Sequence, residues 1–92
     1  MKTHEEVASD LKRLYMSTFG GKNQGRYKIS RDDLKRLAGR EQLKADFVFK
    51  LMAEAEVEHS IKIIELAGGR FFGVIEEAKM LAWRSVPSRS IS

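Results

Sequence analysis

The chain has no cysteine in its 92 residues, and it has one proline and two histidines. Without cysteine, neither a disulfide framework nor a thiolate metal site can form, and the absence fits a reducing compartment. No apolar run approaches the roughly 20 residues that span a bilayer, and the polar start of the chain is not typical of a signal peptide. We therefore expect a cytoplasmic protein with no membrane partner.

The scarcity of histidine also argues against an enzyme. His4 and His59 are far apart in the sequence, and neither has the spacing of a metal site or a catalytic triad. Acidic pairs at 5–6, 32–33 and 76–77 all lie near predicted helix starts, where the helix dipole explains them without catalysis. The sequence therefore predicts no catalytic residue, no metal and no cofactor.

The residues that are present predict one small folded domain with a basic middle. Hydrophobic residues make up 42% of the chain, which is ordinary for a folded protein. We expect a single domain over 1–84 and a flexible tail, rich in serine and arginine, over 85–92. Within the net charge of +4, residues 20–50 hold nine Lys/Arg against four Asp/Glu. This excess suits a polyanionic partner; a solvated surface with chance clustering is the alternative.

The first helix is predicted between Thr3 and Phe19, and Gly20 and Gly21 end it. Thr3 and Glu6 have the spacing of a capping box. Apolar side chains on one face indicate a helix that packs on the core: Val7, Leu11, Leu14, Tyr15 and Thr18. A polar loop over 20–26 and a short strand over 27–29 are predicted to follow.

The centre of the chain, 30–58, predicts two helices joined by a tight corner. Ser30 is a typical cap for the first, which we expect to end at Gly39 after about two turns. The second is predicted from Glu41 to Glu58. Its buried face is formed by Leu43, Phe47, Val48, Leu51, Met52 and Ala55. Its polar side is formed by Gln42, Asp46, Lys50 and Glu54.

The segments 61–66 and 70–75 predict a β-hairpin with a turn at Gly68 and Gly69. The turn pairs residue 66 with 71 and residue 63 with 74. One face then carries Ile61, Ile63, Phe72 and Val74, and the other carries Ile64, Leu66, Phe71 and Ile75. Because both faces are apolar, we expect the second face to be covered too, by the first helix, the C-terminal segment or another subunit.

A short fourth helix is predicted over 76–84, which begins with two acidic residues and is rich in helix formers. We expect three apolar side chains to anchor it to the domain: Met80, Leu81 and Trp83. A longer second hairpin strand is the alternative interpretation of this segment.

The order helix, short strand, helix, helix, strand, turn, strand resembles the winged-helix superfamily of DNA-binding domains over 4–75. The residues behind the resemblance are Leu34, Leu37, Ala38 and Gly39, followed by Leu43, Phe47 and Leu51. The resemblance implies an α+β fold with a three-helix helix-turn-helix core, a small antiparallel β-sheet with a short Gly-Gly wing, and a short C-terminal helix. In this superfamily the N-terminal half of the third helix enters the major groove, and the wing can reach the DNA backbone.

Carried onto this chain, the resemblance implies a partner of double-stranded DNA and a role as a small transcriptional regulator or accessory factor. Candidate base contacts near the third helix are Arg40, Gln42, Lys44 and Lys50. Candidate phosphate contacts are Arg31, Lys35, Lys28 and Arg70. Lys44 falls within the apolar arc, so its ammonium group is expected to reach outward along the surface. Phe49 lies near the polar side, where an exposed ring can touch a thymine methyl or a protein, although such a ring is more often covered by the chain.

The alternative function is a protein–protein interaction module or adaptor, because fold alone does not determine function. The doubly apolar hairpin and the segment around Trp83 are then the interface. The same features suit a homodimer that binds a palindromic DNA site.

Overall fold

The computed structural model describes residues 1–19, 22–23 and 26–91. The helices in this part of the chain are α1 (His4–Met16), α2 (Arg31–Ala38), α3 (Ala45–His59) and α4 (Glu77–Leu81), with single 3-10 turns at Ala67–Gly69 and Ser88–Ser90. The strands are β1 (Thr18–Phe19), β2 (Lys22–Asn23), β3 (Tyr27–Ser30), β4 (Ile61–Leu66) and β5 (Phe71–Glu76). The fold is therefore α+β, as predicted.

Helix α1 begins with the predicted capping box, since Thr3 and Glu6 each bond the other's backbone N–H. The helix ends at Met16 and not at Phe19, because the backbone is already extended at Ser17. The pair β1–β2 then occupies part of the predicted loop. The helix end expected at residues 20–21 lies outside the described residues.

Both predicted ends of α2 are confirmed. The Ser30 side chain accepts the N–H of Asp33, and Gly39 ends the helix in the left-handed conformation with φ +66°. The start of the chain reinforces this end, because the N–H of Lys2 donates to the carbonyl of Ala38 at 2.9 Å. Glycine is favoured at such a position because a Cβ would strain the backbone.

Helix α3 begins at Ala45, so the prediction of Glu41 was wrong by four residues. Lys44 is the N-cap, with extended backbone and no side-chain capping bond. The apolar period misled the prediction, because Leu43 is buried at helical spacing before Phe47 although it precedes the helix. A connection at 39–44 therefore replaces the tight corner, and Arg40, Gln42 and Lys44 do not lie on α3.

A three-stranded antiparallel sheet has the strand order β3-β5-β4. The predicted register is confirmed, with Leu66 opposite Phe71 and Ile63 opposite Val74. Gly68 and Gly69 both have positive φ, as a tight hairpin turn requires. Strand β3 pairs with the other side of β5 and completes the sheet.

The inner face of the sheet packs on the helices and forms the core. All four side chains predicted for this face are buried: Ile61, Ile63, Phe72 and Val74. They join α1, α2 and α3 in one cluster, whose largest fully buried members include Leu11, Leu34 and Leu51. Burial of this apolar surface is the main stabilising term of the domain.

The outer face of the sheet is covered only in part. Ile75 is buried, whereas Ile64 is 38% and Leu66 39% exposed, so the expected full cover is absent within one chain. Helix α4 has only five residues, and of its predicted anchors Leu81 and Trp83 are exposed. It is too short to cover the outer face of the sheet with apolar side chains, because a helix needs several turns to present a continuous apolar face.

Candidate interaction surfaces

Arg31, a predicted phosphate contact, is directed into the fold. It is the first residue of α2, and its Nη1 donates to the carbonyl of Gly69 at 3.0 Å while its Nη2 donates to the carbonyl of Leu43 at 3.0 Å. The guanidinium carbon also lies 5.6 Å from the centroid of the Phe72 ring. Arg31 therefore links α2, the hairpin turn and the connection before α3. Its role as a phosphate contact stays a prediction.

Arg40, a predicted base contact, is also held by the chain itself. Its Nη2 donates to the carbonyl of Lys2 at 2.9 Å, and its guanidinium carbon lies 3.9 Å from the centroid of the Phe47 ring. Its Nε is buried and has no hydrogen-bond partner in the described part of the chain. The geometry is that of a cation–π contact beside the core, and the role of Arg40 in reading bases stays a prediction.

Two further candidates lie away from the start of α3. Lys35 forms an ion pair with Asp32, one turn earlier in α2, at 3.4 Å. Lys28 stands on the outer face of the sheet, where its Nζ lies 4.6 Å from the centroid of the Phe71 ring. Since the outer face points away from the helices, Lys28 does not share a surface with α3.

The other four candidates, Gln42, Lys44, Lys50 and Arg70, are exposed. Lys44 was expected to lie in the apolar arc of α3 and to extend its ammonium group along the surface. It instead precedes α3, so it does not lie in that arc. Between α3 and the hairpin turn lies a cleft of about 530 Å³, lined by residues that include Ala45, Phe49, Glu65 and Arg70. Of the remaining candidates, Arg70 lines this cleft.

The solvent side of α3 carries an exposed apolar stripe. Phe49 is 74% exposed and Val57 is 77% exposed, and the exposed Ala53 lies between them at four-residue spacing. We call Phe49, Ala53 and Val57 the α3 stripe. The expectation that the chain covers Phe49 was wrong, because the other helices and the sheet all pack on the opposite side of α3.

Helix α3, which carries the stripe, has a negative net charge. Helix α3 contains one cation, Lys50, and four carboxylates, Asp46, Glu54, Glu56 and Glu58, so its net charge is −3 with His59 neutral. Only Glu56 has an ion-pair partner among the described residues, the ammonium of Lys62. This helix therefore presents to solvent an apolar strip on a surface of net negative charge, with Lys50 as its one cation.

The outer face of the sheet forms a second apolar surface, which we call the sheet groove. It has a volume of about 540 Å³, and its described lining is Arg26, Tyr27, Lys28, Ile64, Leu66, Gly73, Val74, Ile75 and Trp83. Gly73 makes room for the Leu66 side chain, since a Cβ there would lie 3.2 Å from its Cδ1. This lining includes two cations and no carboxylate, so its charge is opposite to that of α3.

Among the described residues two titratable groups are perturbed, and both have structural roles. The Lys2 ammonium and the Arg13 guanidinium hold the pKa of the buried Asp10 carboxyl below its usual value, against the opposing effect of burial. Burial raises the pKa of the Tyr27 phenol, whose hydroxyl donates to the carbonyl of Leu11 at 2.8 Å. These contacts tie α1 to its neighbours and supply no acid–base pair at either apolar surface.

The sequence interpretation did not identify either surface fully. The spacing of Phe49, Ala53 and Val57 was the available signal for the α3 stripe, but only Phe49 was singled out. The outer strand residues were expected to be covered or, with the Trp83 segment, to form a protein interface, but the position of Arg26 beside them was not identified. In both cases the sequence did not show which side of α3, or which face of the sheet, the rest of the chain covers.

In the part of the chain that the structure describes, no helix is long and apolar enough to cross a membrane. The described residues also contain no group of three or more histidine and carboxylate side chains that could hold a metal ion. Comparisons of the chain with protein-family models, with curated proteins and with solved structures found no match.

Proposed function

We propose that this protein is a protein-interaction module and that the α3 stripe is its main contact surface. The observation that carries the proposal is the combination of exposed Phe49 and Val57 with a net charge of −3 on α3. Large exposed apolar side chains at helical spacing are the usual anchors of helix-mediated protein recognition.

Energetics favour a protein partner over a nucleic acid at this surface. Full burial of a Phe or Val side chain stabilises a complex by about 1.5–3 kcal/mol each. Four carboxylates on one helix repel phosphates, and one lysine among them does not offset that repulsion. A major groove flanked by phosphates is thus a poorer partner for α3 than a complementary apolar surface on a protein.

Site-specific photo-crosslinking in cells that express the protein tests this proposal. Phe49 is replaced by benzoylphenylalanine, and Ser9, exposed on α1, is replaced in the matched control. We expect a discrete protein adduct from position 49, identified by mass spectrometry, that Val57→Ser weakens and that position 9 does not give. Adducts of equal yield from both positions, or adducts of nucleic acid only, would contradict the proposal.

Binding of DNA is the second candidate, favoured by Arg70, which lines the α3–hairpin cleft, and by the exposed Lys44 at the N-cap of α3 and Lys50 in its N-terminal half. The element order and the three-stranded sheet are compatible with a winged-helix layout, in which this cleft faces the duplex. A small transcriptional regulator or accessory factor is the role that would follow. Backbone binding fits these lysines and arginine better than base reading, since Arg40 is held by the fold.

Titration of random duplex DNA over a salt series tests the second candidate. Each phosphate contact contributes a slope of about 0.9 in log K against log salt. Lys44→Ala and Arg70→Ala should each lower the slope by about that amount, whereas the control Arg36→Ala, on the outer side of α2, should not. An absence of binding at low salt would exclude this function for the isolated chain.

A further inference from the structure

Resting on the proposed function, we propose that the α3 stripe binds the sheet groove of a second copy of this chain. The two surfaces belong to different elements and share no residue. One molecule can therefore offer its stripe to one neighbour and its groove to another.

Charge complementarity identifies the second copy as the occupant. Asp46 lies one turn from Phe49 and Glu56 one turn from Ala53 on a helix of net charge −3, whereas the described lining of the groove has Arg26 and Lys28 and no carboxylate. Stripe against groove joins opposite charges around two apolar centres. Stripe against stripe, or groove against groove, would join like charges, which costs affinity.

The packing of the domain is also suited to this contact. The buried side of α3, with Phe47 and Leu51, packs toward the inner face of the sheet, and the groove lies on the outer face. A neighbour's α3 in the groove would give the sheet a helix on each face, which is a common layered arrangement of helices and sheets. The half-exposed Ile64 and Leu66 would then lose their remaining contact with water.

A dimer held by one stripe–groove contact still has one free stripe and one free groove, so further molecules can bind. Head-to-tail association produces a ring or an open chain, depending on the rotation between neighbours. We therefore expect the sedimentation-equilibrium mass to exceed that of a dimer at high protein concentration. Salt should reduce the association, because exposed charges contribute to it.

Complementation between two variants tests the arrangement. The stripe variant Phe49→Ser/Val57→Ser loses one surface, and the groove variant Leu66→Glu loses the other, so each should be monomeric alone. When mixed, they should form a 1:1 dimer, because the intact stripe of the groove variant binds the intact groove of the stripe variant. No further molecule can add, because both remaining surfaces are disrupted. Arg26→Glu, at an exposed position, is a second groove variant in case Leu66→Glu unfolds, and Lys44→Ser is a matched control that should associate as the native chain does.

Fluorescence gives an independent readout, because Trp83 is the one tryptophan and lines the groove. Its emission should shift to the blue when the stripe variant, which keeps the groove intact, is mixed with a groove variant that also carries Trp83→Phe. The shift should be absent in the stripe variant alone.

Three results would overturn the inference: a monomeric native chain at all concentrations, mixed variants that stay monomeric, or association lost in the stripe variant but intact in both groove variants. The last result would indicate stripe-to-stripe pairing. If position 49 crosslinks a different protein while the pure chain stays monomeric, the proposed function stands and this inference fails.

Discussion

Replacement of Arg31 by methionine separates a structural role from a phosphate contact. Methionine keeps an unbranched apolar stem beside Phe72 but removes both guanidinium hydrogen bonds, to Gly69 and to Leu43. These two carbonyls belong to the hairpin turn and to the connection before α3. The variant therefore tests whether Arg31 joins three parts of the fold.

The expected loss follows from the two bonds. A hydrogen bond that involves a charged group contributes about 1.5–3 kcal/mol, and the lower end applies here because Arg31 is half-buried. Since water can reach the cleft and satisfy part of the lost bonding, we expect Arg31→Met to lower the free energy of unfolding by about 2–3 kcal/mol. In a domain of this size, that corresponds to a fall in Tm of roughly 10–20 °C.

Urea denaturation followed by far-ultraviolet circular dichroism is the appropriate assay, because Trp83 is exposed and reports poorly on the core. Arg31→Lys should recover about half of the loss, since one ammonium cannot reach both carbonyls in the bidentate geometry. The control Arg36→Met breaks only an exposed pair with Asp33 and should change stability by less than about 0.5 kcal/mol. An Arg31→Met variant as stable as this control would refute the structural role of Arg31.

Three other substitutions test single features of the fold. Gly39→Ala should destabilise the protein by about 1 kcal/mol or more in urea denaturation, because alanine is strained at φ +66°. Arg40→Met should cost about 1–2 kcal/mol and leave the salt slope of any DNA binding unchanged, since Arg40 contacts Phe47 and the backbone. Asp10→Asn should cost about 1–2 kcal/mol at neutral pH. The folded pKa of Asp10 is lowered, so its contribution is complete above the ordinary carboxyl value of 3.8 and is lost as pH falls through the folded pKa. Thermal melts from pH 7 to pH 2 should show native and Asp10→Asn proteins converging, and a constant difference would contradict the assigned ion pair.

Local features of the fold were predictable because neighbouring residues determine them. The capping box at Thr3, the Ser30 cap, the Gly39 helix end and the hairpin register all depend on spacings within a few residues. The start of α3 was not predictable in this way. Leu43 continues the helical period yet reaches the core from an extended segment, and only the packing of the whole domain distinguishes the two.

The candidate site depends even more than the fold on contacts between distant parts of the chain. Lysine and arginine identities indicated a basic middle, but the roles of Arg31 and Arg40 depend on carbonyls up to 38 residues away along the chain. Sequence spacing carries no information on such contacts, because they form only when distant segments meet. Exposed and inward-facing cations therefore look alike in the sequence.

By itself, the sequence determined the class of the fold, most of its elements and the inner face of its sheet, because apolar periodicity and caps act locally. Only the tertiary structure decided which surfaces remain open. Helices pack on one side of α3 and on one face of the sheet, so Phe49, Val57, Ile64 and Leu66 stay in contact with water. That one-sided packing is a property of the whole chain, and it leaves an acidic apolar stripe and a basic apolar groove on the same molecule.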